Sequence, residues 1–158
     1  CGPLDPGVPF HLLRSTSMDA AAVESMLYHE SGLLGVSGIS ADVRELLASD
    51  APAAREAIDL FAYHCARQIA AMAVALGGLD ALVFAGGIGE NAASIRAAIC
   101  DLLTPFGLHL DADANMRDLR DAREIGATNS ACNVFVVPTD EEIVIARACR
   151  AQLAGAAA

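Results

Sequence analysis

Two short polar segments, each directly after an apolar run, hold the residues best able to do chemistry in this 158-residue chain. The first, residues 84–91, reads Phe-Ala-Gly-Gly-Ile-Gly-Glu-Asn. Its glycines let a ligand approach the backbone, and its amides, with a helix starting near Asn91, could receive phosphate. The dinucleotide fingerprint G-x-G-x-x-G is not met, because Ala92 stands where the third glycine belongs. A structural strand-to-helix turn with Asn91 as cap explains the same residues equally well.

The second segment, residues 137–142, reads Val-Pro-Thr-Asp-Glu-Glu. A carboxylate at the end of a strand suits Mg²⁺, which prefers oxygen ligands and shares them between protein and substrate phosphates. Acidic residues are also common in the first turn of a helix, where they meet the positive end of the helix dipole. On that interpretation Thr139 is the cap and no metal is needed.

The elements that must position these segments are helices and buried strands. Apolar runs at 81–84 and 134–137 lack alternation, which is typical of strands buried on both faces of a parallel sheet. The pattern predicts helices at about 91–103 and 140–153, and a long helix after Asp50 that Gly77 and Gly78 end. Helices alternating with strands indicate an α/β fold, whose ligands gather at the carboxyl ends of the strands.

The first third of the chain contains no strand pattern. Residues 1–10 are rich in Pro and Gly, which predicts an extended or turning segment. Ser17 can cap a helix over residues 18–30, and Asp42 looks like the N-cap of a short helix reaching Leu47. A loop between these two helices is predicted from three glycines, Gly32, Gly35 and Gly38.

The composition excludes several classes of protein. The absence of lysine excludes a P-loop and a Schiff-base enzyme. The net charge of −10 argues against nucleic-acid binding. The apolar stretch 69–79 is too short to span a membrane. Five widely spaced cysteines without a C-x-x-C pair favour reduced thiols and a cytoplasmic location. With 54% hydrophobic residues in one globular unit, part of the surface is expected to face another subunit or domain.

Four segments, in this order and spacing, resemble the C-terminal part of the acetokinase family in the actin, Hsp70 and sugar kinase superfamily. They are residues 4–7, 30–44, 84–91 and 136–142. Gly-Ile-Gly-Glu-Asn followed at a distance by Pro-Thr-Asp-Glu-Glu is a specific combination. The resemblance implies an α/β fold that is part of an actin-like/RNase H-like ATPase domain, with parallel strands covered by helices. Residues 1–158 would be its C-terminal nucleotide-binding portion, with the N-terminal domain absent from the chain.

The resemblance also implies an activity, magnesium-dependent phosphoryl transfer between ATP and acetate that gives ADP and acetyl phosphate, and a homodimer. The residues matching the family's nucleotide contacts are Gly87, Ile88, Gly89, Glu90 and Asn91 in one loop and Asp42, Val43 and Arg44 in another. Glu141 matches the magnesium-binding glutamate. A backbone cradle, a guanidinium and a metal-binding carboxylate suit phosphoryl transfer, which needs little covalent chemistry from the protein.

The sequence departs from the family pattern in three ways. Pro3 stands where an acidic residue is usual, and Ala85-Gly86 replaces a common Thr-Ala. The family's catalytic arginines, histidine and aspartate would fall before Cys1, so no catalytic residue is assigned and the segment alone is expected to be inactive. It would then be an excised domain, a truncated enzyme or a proteolytic remnant. Two alternatives stay open: a non-catalytic nucleotide-binding or dimerisation module, and a kinase of propionate or butyrate.

Overall fold

The structure is a computed structural model that describes residues 1–117 and 121–155. The chain divides into two compact units, Cys1–Gln68 and Ile69–Ala158. The division falls inside the longest helix, so the first unit is helical and the second contains the sheet.

The first unit contains four helices and the start of a fifth. These are α1 (Gly7–Ser15), α2 (Ala20–His29), α3 (Gly32–Ser37), α4 (Val43–Leu47) and α5 (Pro52–Leu76). A small core of Leu46, Ala54 and Ala57 joins α4 to α5, and Leu33, Ala51 and Ile58 pack against it.

Three local predictions for this unit are wrong. The opening segment is helical from Gly7 onward, because Pro6 has the φ that a helix start requires. The predicted glycine loop contains α3, which ends at Gly38 in a left-handed conformation with φ of 63°. The cap of α2 is Asp19, whose carboxylate accepts the amide of Ala22, instead of Ser17. The predicted cap of α4 by Asp42 is confirmed.

The second unit has a three-stranded sheet in the order β1-β3-β2. Its elements in chain order, after the end of α5, are β1 (Ala81–Phe84), α6 (Gly86–Asn91), α7 (Ala93–Leu102), a 3-10 turn (Thr104–Phe106), α8 (Ala112–Met116), β2 (Arg123–Glu124), β3 (Asn133–Val136) and α9 (Glu141–Gly155). β1 and β3 are parallel, with Ala81 opposite Asn133 and Phe84 opposite Val136. Their carboxyl ends therefore lie side by side.

The α/β class is confirmed, with two differences in the sheet. The sheet is mixed, because the two-residue strand β2 runs antiparallel to β3. β1 is buried on alternate residues only: Leu82 and Phe84 are buried while Val83 is 52% exposed. β3 follows the expectation of a central strand more closely, since Val134 and Val136 have no exposed surface. The lack of alternation in the sequence therefore overstated the burial of β1.

The predicted helix at about 91–103 corresponds to α7, which begins at Ala93. Asn91 belongs instead to the preceding helix α6, and the two helices meet at Ala92, whose ψ of 78° breaks the helical path. The second of them, α7, presents a stripe of buried residues to the interior. They are Ile95, Arg96, Ile99 and Cys100. Arg96 is the one charged residue on this stripe.

No helix within residues 1–117 and 121–155 is long and apolar enough to cross a membrane. All five cysteines are free thiols.

Candidate functional site

The segment 84–91 leaves the carboxyl end of β1 and turns at once into a helix. Ala85 is extended, and α6 begins at Gly86, five residues earlier than the helix start predicted near Asn91. Gly86 has φ of 69°, a left-handed conformation that side chains rarely adopt. Gly86 therefore makes the sharp turn from strand to helix, a role that the sequence had not separated from those of the other two glycines.

Gly87 and Gly89 have different surroundings. A β-carbon added to Gly87 would meet no atom of the described residues within 4 Å, so none of their contacts requires glycine there. A β-carbon at Gly89 would lie 3.2 Å from the carbonyl carbon of Phe84. Gly89 thus lets α6 pack against the end of β1, while Gly87 keeps an open surface beside the backbone.

A buried arginine holds the end of α6. Arg96 is 2% exposed and donates from Nη1 to the carbonyl oxygens of Gly89 and Glu90, both at 2.9 Å. Its Nε and Nη2 donate to the side-chain and backbone oxygens of Asn115 at 2.7 and 2.6 Å. The last carbonyl groups of a helix have no donors within the helix. Arg96 supplies the missing donors at the end of α6. Burial and the charge of Arg123 lower the pKa of Arg96, but a guanidinium stays protonated.

Asn115 completes this arrangement on α8. Its Nδ2 donates to the carbonyl oxygen of Ala93 at 2.9 Å, so the buried amide group is bonded at both ends. α6, α7 and α8 are thereby fixed to one another through two polar side chains in an apolar setting, where each bond is strengthened by low polarity. We call Arg96 and Asn115 the polar clamp.

Asn91 is not the helix cap that the sequence offered as one interpretation. It is the last residue of α6, and its Nδ2 donates back to the carbonyl oxygen of Gly87 at 2.8 Å. Ile88 is 38% exposed on the same short helix. The side chain of Asn91 thus braces the open turn at Gly87.

The loop after β3 lies against this segment. The amide of Val137 donates to the carbonyl oxygen of Phe84 at 2.9 Å, which continues the parallel ladder past both strands. The carboxylate oxygen Oε1 of Glu90 then accepts the amide of Thr139 at 2.9 Å and its hydroxyl at 3.0 Å. These donors lower the pKa of Glu90 below its ordinary value.

The acidic run after Thr139 begins the last helix. The side chain of Asp140 accepts the amide of Ile143 at 2.9 Å and so caps α9. The helix-start interpretation is therefore confirmed for this position, with Asp140 as the cap instead of Thr139. The side chain of Glu141, the predicted magnesium ligand, lies outside the part that the structure describes, and its backbone is the first residue of α9.

Within the described residues, no group of three or more His, Cys, Asp and Glu side chains could hold a metal ion. In phosphoryl-transfer sites Mg²⁺ is commonly held by one or two carboxylates together with substrate phosphates and water, so the carboxylate chemistry of the segment fits this ion.

The second predicted nucleotide contact lies in the first unit, at the start of α4. The carboxylate of Asp42 accepts the amide of Arg44 at 2.8 Å and forms an ion pair with its guanidinium, with Oδ2 and Nη2 2.5 Å apart. The pair lowers the pKa of Asp42 from 3.8 to about 2. Val43 is buried, whereas the Arg44 side chain is 89% exposed. Arg44 is therefore the residue of this trio whose side chain is most accessible to a ligand, while its Nε and Nη2 donate to the carboxylate of Asp42.

The structure brings together two of the predicted segments, 84–91 and the loop at 137–140, through the parallel strands and the Glu90–Thr139 bonds. The sequence analysis missed the polar clamp. One signal could have found Arg96: it occupies a position of the apolar stripe of α7, where an arginine is buried only if its donors are matched.

Parallel strands whose carboxyl ends carry polar segments are typical of α/β proteins that bind ligands at this edge of the sheet. The family model of the "Acetokinase family" matches residues 1–147, and the chain belongs to this family. Acetate kinase from Rhodopseudomonas palustris (strain TIE-1) is 56% identical over 147 residues, which are 93% of this chain and 37% of that protein. The chain thus spans little more than a third of the relatives that it matches.

Solved structures agree with the sequence match. Acetate kinase from Porphyromonas gingivalis superposes with a TM-score of 0.84 at 35% identity, over 96% of this chain and 39% of that one. A propionate kinase from Francisella tularensis superposes with a TM-score of 0.81 at 35% identity, over 91% of this chain and 37% of that one. These neighbours have the actin-like ATPase fold, so the expected fold family is confirmed.

Proposed function

We propose that this chain is the nucleotide-binding part of an acetate kinase, which transfers a phosphoryl group between ATP and acetate to give ADP and acetyl phosphate. The observation that carries the proposal is the family match over residues 1–147, which includes both strand-end segments. The relatives named acetate kinase in the comparisons are the further support.

In this proposal the backbone around Gly87 receives the nucleotide, together with the backbone of Ile88, Gly89, Glu90 and Asn91. Open space beside Gly87 supports this role, because no atom in the described part of the chain lies within 4 Å of a β-carbon placed there. Exposed amide groups that meet phosphate oxygens stabilise developing negative charge without reorganising. Asp42, Val43 and Arg44 form the second nucleotide contact, in which the Asp42 carboxylate holds the Arg44 guanidinium and Val43 anchors the turn.

Magnesium is the proposed cofactor, with Glu141 as its protein ligand. When bound, the ion would neutralise charge on the phosphates during transfer. The chain's own contribution is to present a carboxylate at the start of α9, where Asp140 fixes the first turn. Glu141→Ala should reduce magnesium-dependent turnover far more than stability, since a helix-start carboxylate contributes only about 0.3–1 kcal/mol. Unchanged activity and magnesium dependence would remove the metal role.

Two further properties belong to the proposal. A homodimer agrees with the exposed apolar residues of the second unit, including Val74, Leu76 and Val144 at 64–77% exposure. A cytoplasmic location agrees with five free thiols and no disulfide among them.

The test is a kinase assay on the protein as its gene encodes it. Acetyl phosphate is trapped as a hydroxamate from ATP, MgCl₂ and acetate, with propionate in a parallel reaction. We expect acetate to be used with the higher kcat/KM. Propionate kinase is the second candidate, favoured by the similarity to the Francisella tularensis enzyme. A higher kcat/KM for propionate would select it, and no acyl phosphate from either acid would overturn both.

A further inference from the structure

One side chain connects the two strand-end segments. Glu90 and Thr139 are 49 residues apart in sequence, yet a single carboxylate oxygen of Glu90 accepts both the amide and the hydroxyl of Thr139. Glu90 is also fixed through its backbone, because its carbonyl oxygen accepts from Arg96 at 2.9 Å. The residue is therefore bonded to α7 on one side and to the loop before α9 on the other.

The charge of Glu90 argues against direct contact between its carboxylate and the phosphates of a nucleotide. A carboxylate repels phosphate oxygens, and charges of like sign a few ångströms apart are costly. Both donors that Thr139 offers are already directed at Oε1, so the carboxylate has a partner within the chain. The sequence position of Glu90, inside a segment that resembles a nucleotide loop, does not by itself reveal this different task.

We propose that Glu90 is a positioning residue that latches the segment 84–91 to the loop 137–140, so that nucleotide binding at one is coupled to magnesium binding at the other. This inference rests on the proposed function. Thr139 lies two residues before Glu141, so a bond that fixes Thr139 also fixes where the first turn of α9 begins. Loss of the latch would let the two segments bind their ligands independently.

If Glu90 acts as a latch, two substitutions of this residue should have different effects. Glu90→Gln keeps a side-chain oxygen that can accept both bonds from Thr139, whereas Glu90→Ala removes the acceptor. If Glu90 only positions Thr139, the side-chain amide of Glu90→Gln should take over the role of the carboxylate. If Glu90 were a metal ligand, loss of the charge would be as harmful as loss of the side chain.

The experiment is calorimetric titration of ATP into the protein as its gene encodes it, once with EDTA and once with MgCl₂. The ratio of the two dissociation constants measures the coupling between the metal and the nucleotide. We expect Glu90→Ala and Thr139→Val each to reduce this ratio by about fivefold or more. Glu90→Gln should keep most of it, and the double variant should lose little more than either single variant.

Asp113→Ala is the matched control, since it removes an exposed carboxylate on α8 of the same unit. Its ratio should equal that of the wild type. The latch is overturned if Glu90→Ala weakens ATP binding by the same factor with and without magnesium, or if Glu90→Gln behaves like Glu90→Ala. A wild type that binds no ATP in either buffer overturns the proposed function itself, which is a separate outcome.

Discussion

The two segments proposed to contact the nucleotide are held in opposite ways. Segment 84–91 is bonded to distant elements: a buried arginine holds its carbonyls, and Glu90 reaches a loop 49 residues away. The Asp42–Arg44 turn is held by its own neighbours, because Asp42 caps the helix and pairs with Arg44 two residues on. The first segment is therefore held in place by tertiary contacts, and the second by hydrogen bonds between neighbouring residues at the surface.

This contrast predicts which substitutions change stability and which change only ligand binding. Changes around segment 84–91 should affect the stability of the whole second unit as well as binding. Changes in the Asp42–Arg44 turn should affect binding with little effect on folding, since exposed ion pairs contribute little to stability.

The largest effect should come from the polar clamp. Arg96→Met fills a similar space but removes the donors of four hydrogen bonds, two to the end of α6 and two to Asn115. Buried acceptors left without partners cost about 1–3 kcal/mol each when water does not replace the donor. We expect a loss of about 3 kcal/mol or more in the free energy of unfolding, measured by urea denaturation.

Arg147→Met is the control for the clamp, because this arginine is exposed on α9. Its effect should stay within about 0.5 kcal/mol. If the two arginine variants are equally stable, the fold does not fix segment 84–91 and the contrast fails.

A smaller loss is expected at the turn between β1 and α6. Gly86→Ala places a β-carbon on a residue with φ of 69°, which costs about 1–2 kcal/mol. The thermal midpoint of the ligand-free protein should fall accordingly. A midpoint equal to that of the wild type would mean that the left-handed turn is not adopted.

Gly87→Ala should have the opposite effect on stability. The position is helical and open, so alanine should raise the stability of the ligand-free protein by about 0.4–1 kcal/mol. The added methyl group would occupy the space proposed for ATP, so the stabilisation by ATP and MgCl₂ should shrink. Gly89 is a poorer probe than its sequence position indicates, because alanine there would crowd Phe84. Equal stabilisation by ATP in wild type and Gly87→Ala would remove this turn from the nucleotide site.

The smallest effect on stability should follow Asp42→Asn. Asparagine is as good a helix cap as aspartate, so α4 keeps its start while the ion pair is lost. The pKa of Asp42 is lowered from 3.8 to about 2, so its contribution is present above 3.8 and disappears as the pH falls toward 2. The variant should lack this part of the acid dependence in a pH series of thermal midpoints. An identical acid dependence would show that the pair does not persist in solution.

The sequence predicted what depends on local chemistry. The strand at 81–84, the cap by Asp42 and the end of α5 at Gly77 follow from patterns only a few residues long, and the structure contains all three. The helical start of segment 84–91 was not predicted, because three glycines within four residues normally argue against a helix. Long-range bonds offset this preference: the guanidinium of Arg96 donates to the carbonyl oxygens at the end of α6, and the carboxylate of Glu90 accepts from Thr139.

The sheet also has one part that local sequence patterns predict and one part that depends on long-range contacts. Apolar runs located β1 and β3, but two residues, Arg123 and Glu124, carry no readable pattern and form β2 only because β3 offers them an edge. The polar clamp joins residues 19 apart in sequence, Arg96 and Asn115. Its partner could not be identified without the fold, although an arginine on the apolar stripe of α7 is a signal, unused in the sequence analysis, that a partner must exist.

The most direct test of the proposed nucleotide site is an amide NMR titration of the isotope-labelled protein, as its gene encodes it, with ATP and MgCl₂. The account predicts that the amide signals of Gly87, Ile88, Asn91 and Arg44 shift and saturate together, while those of the exposed helix residues Asp113 and Arg147 stay in place. Saturable binding of ATP that leaves the signals of Gly87 and Arg44 unmoved would contradict it.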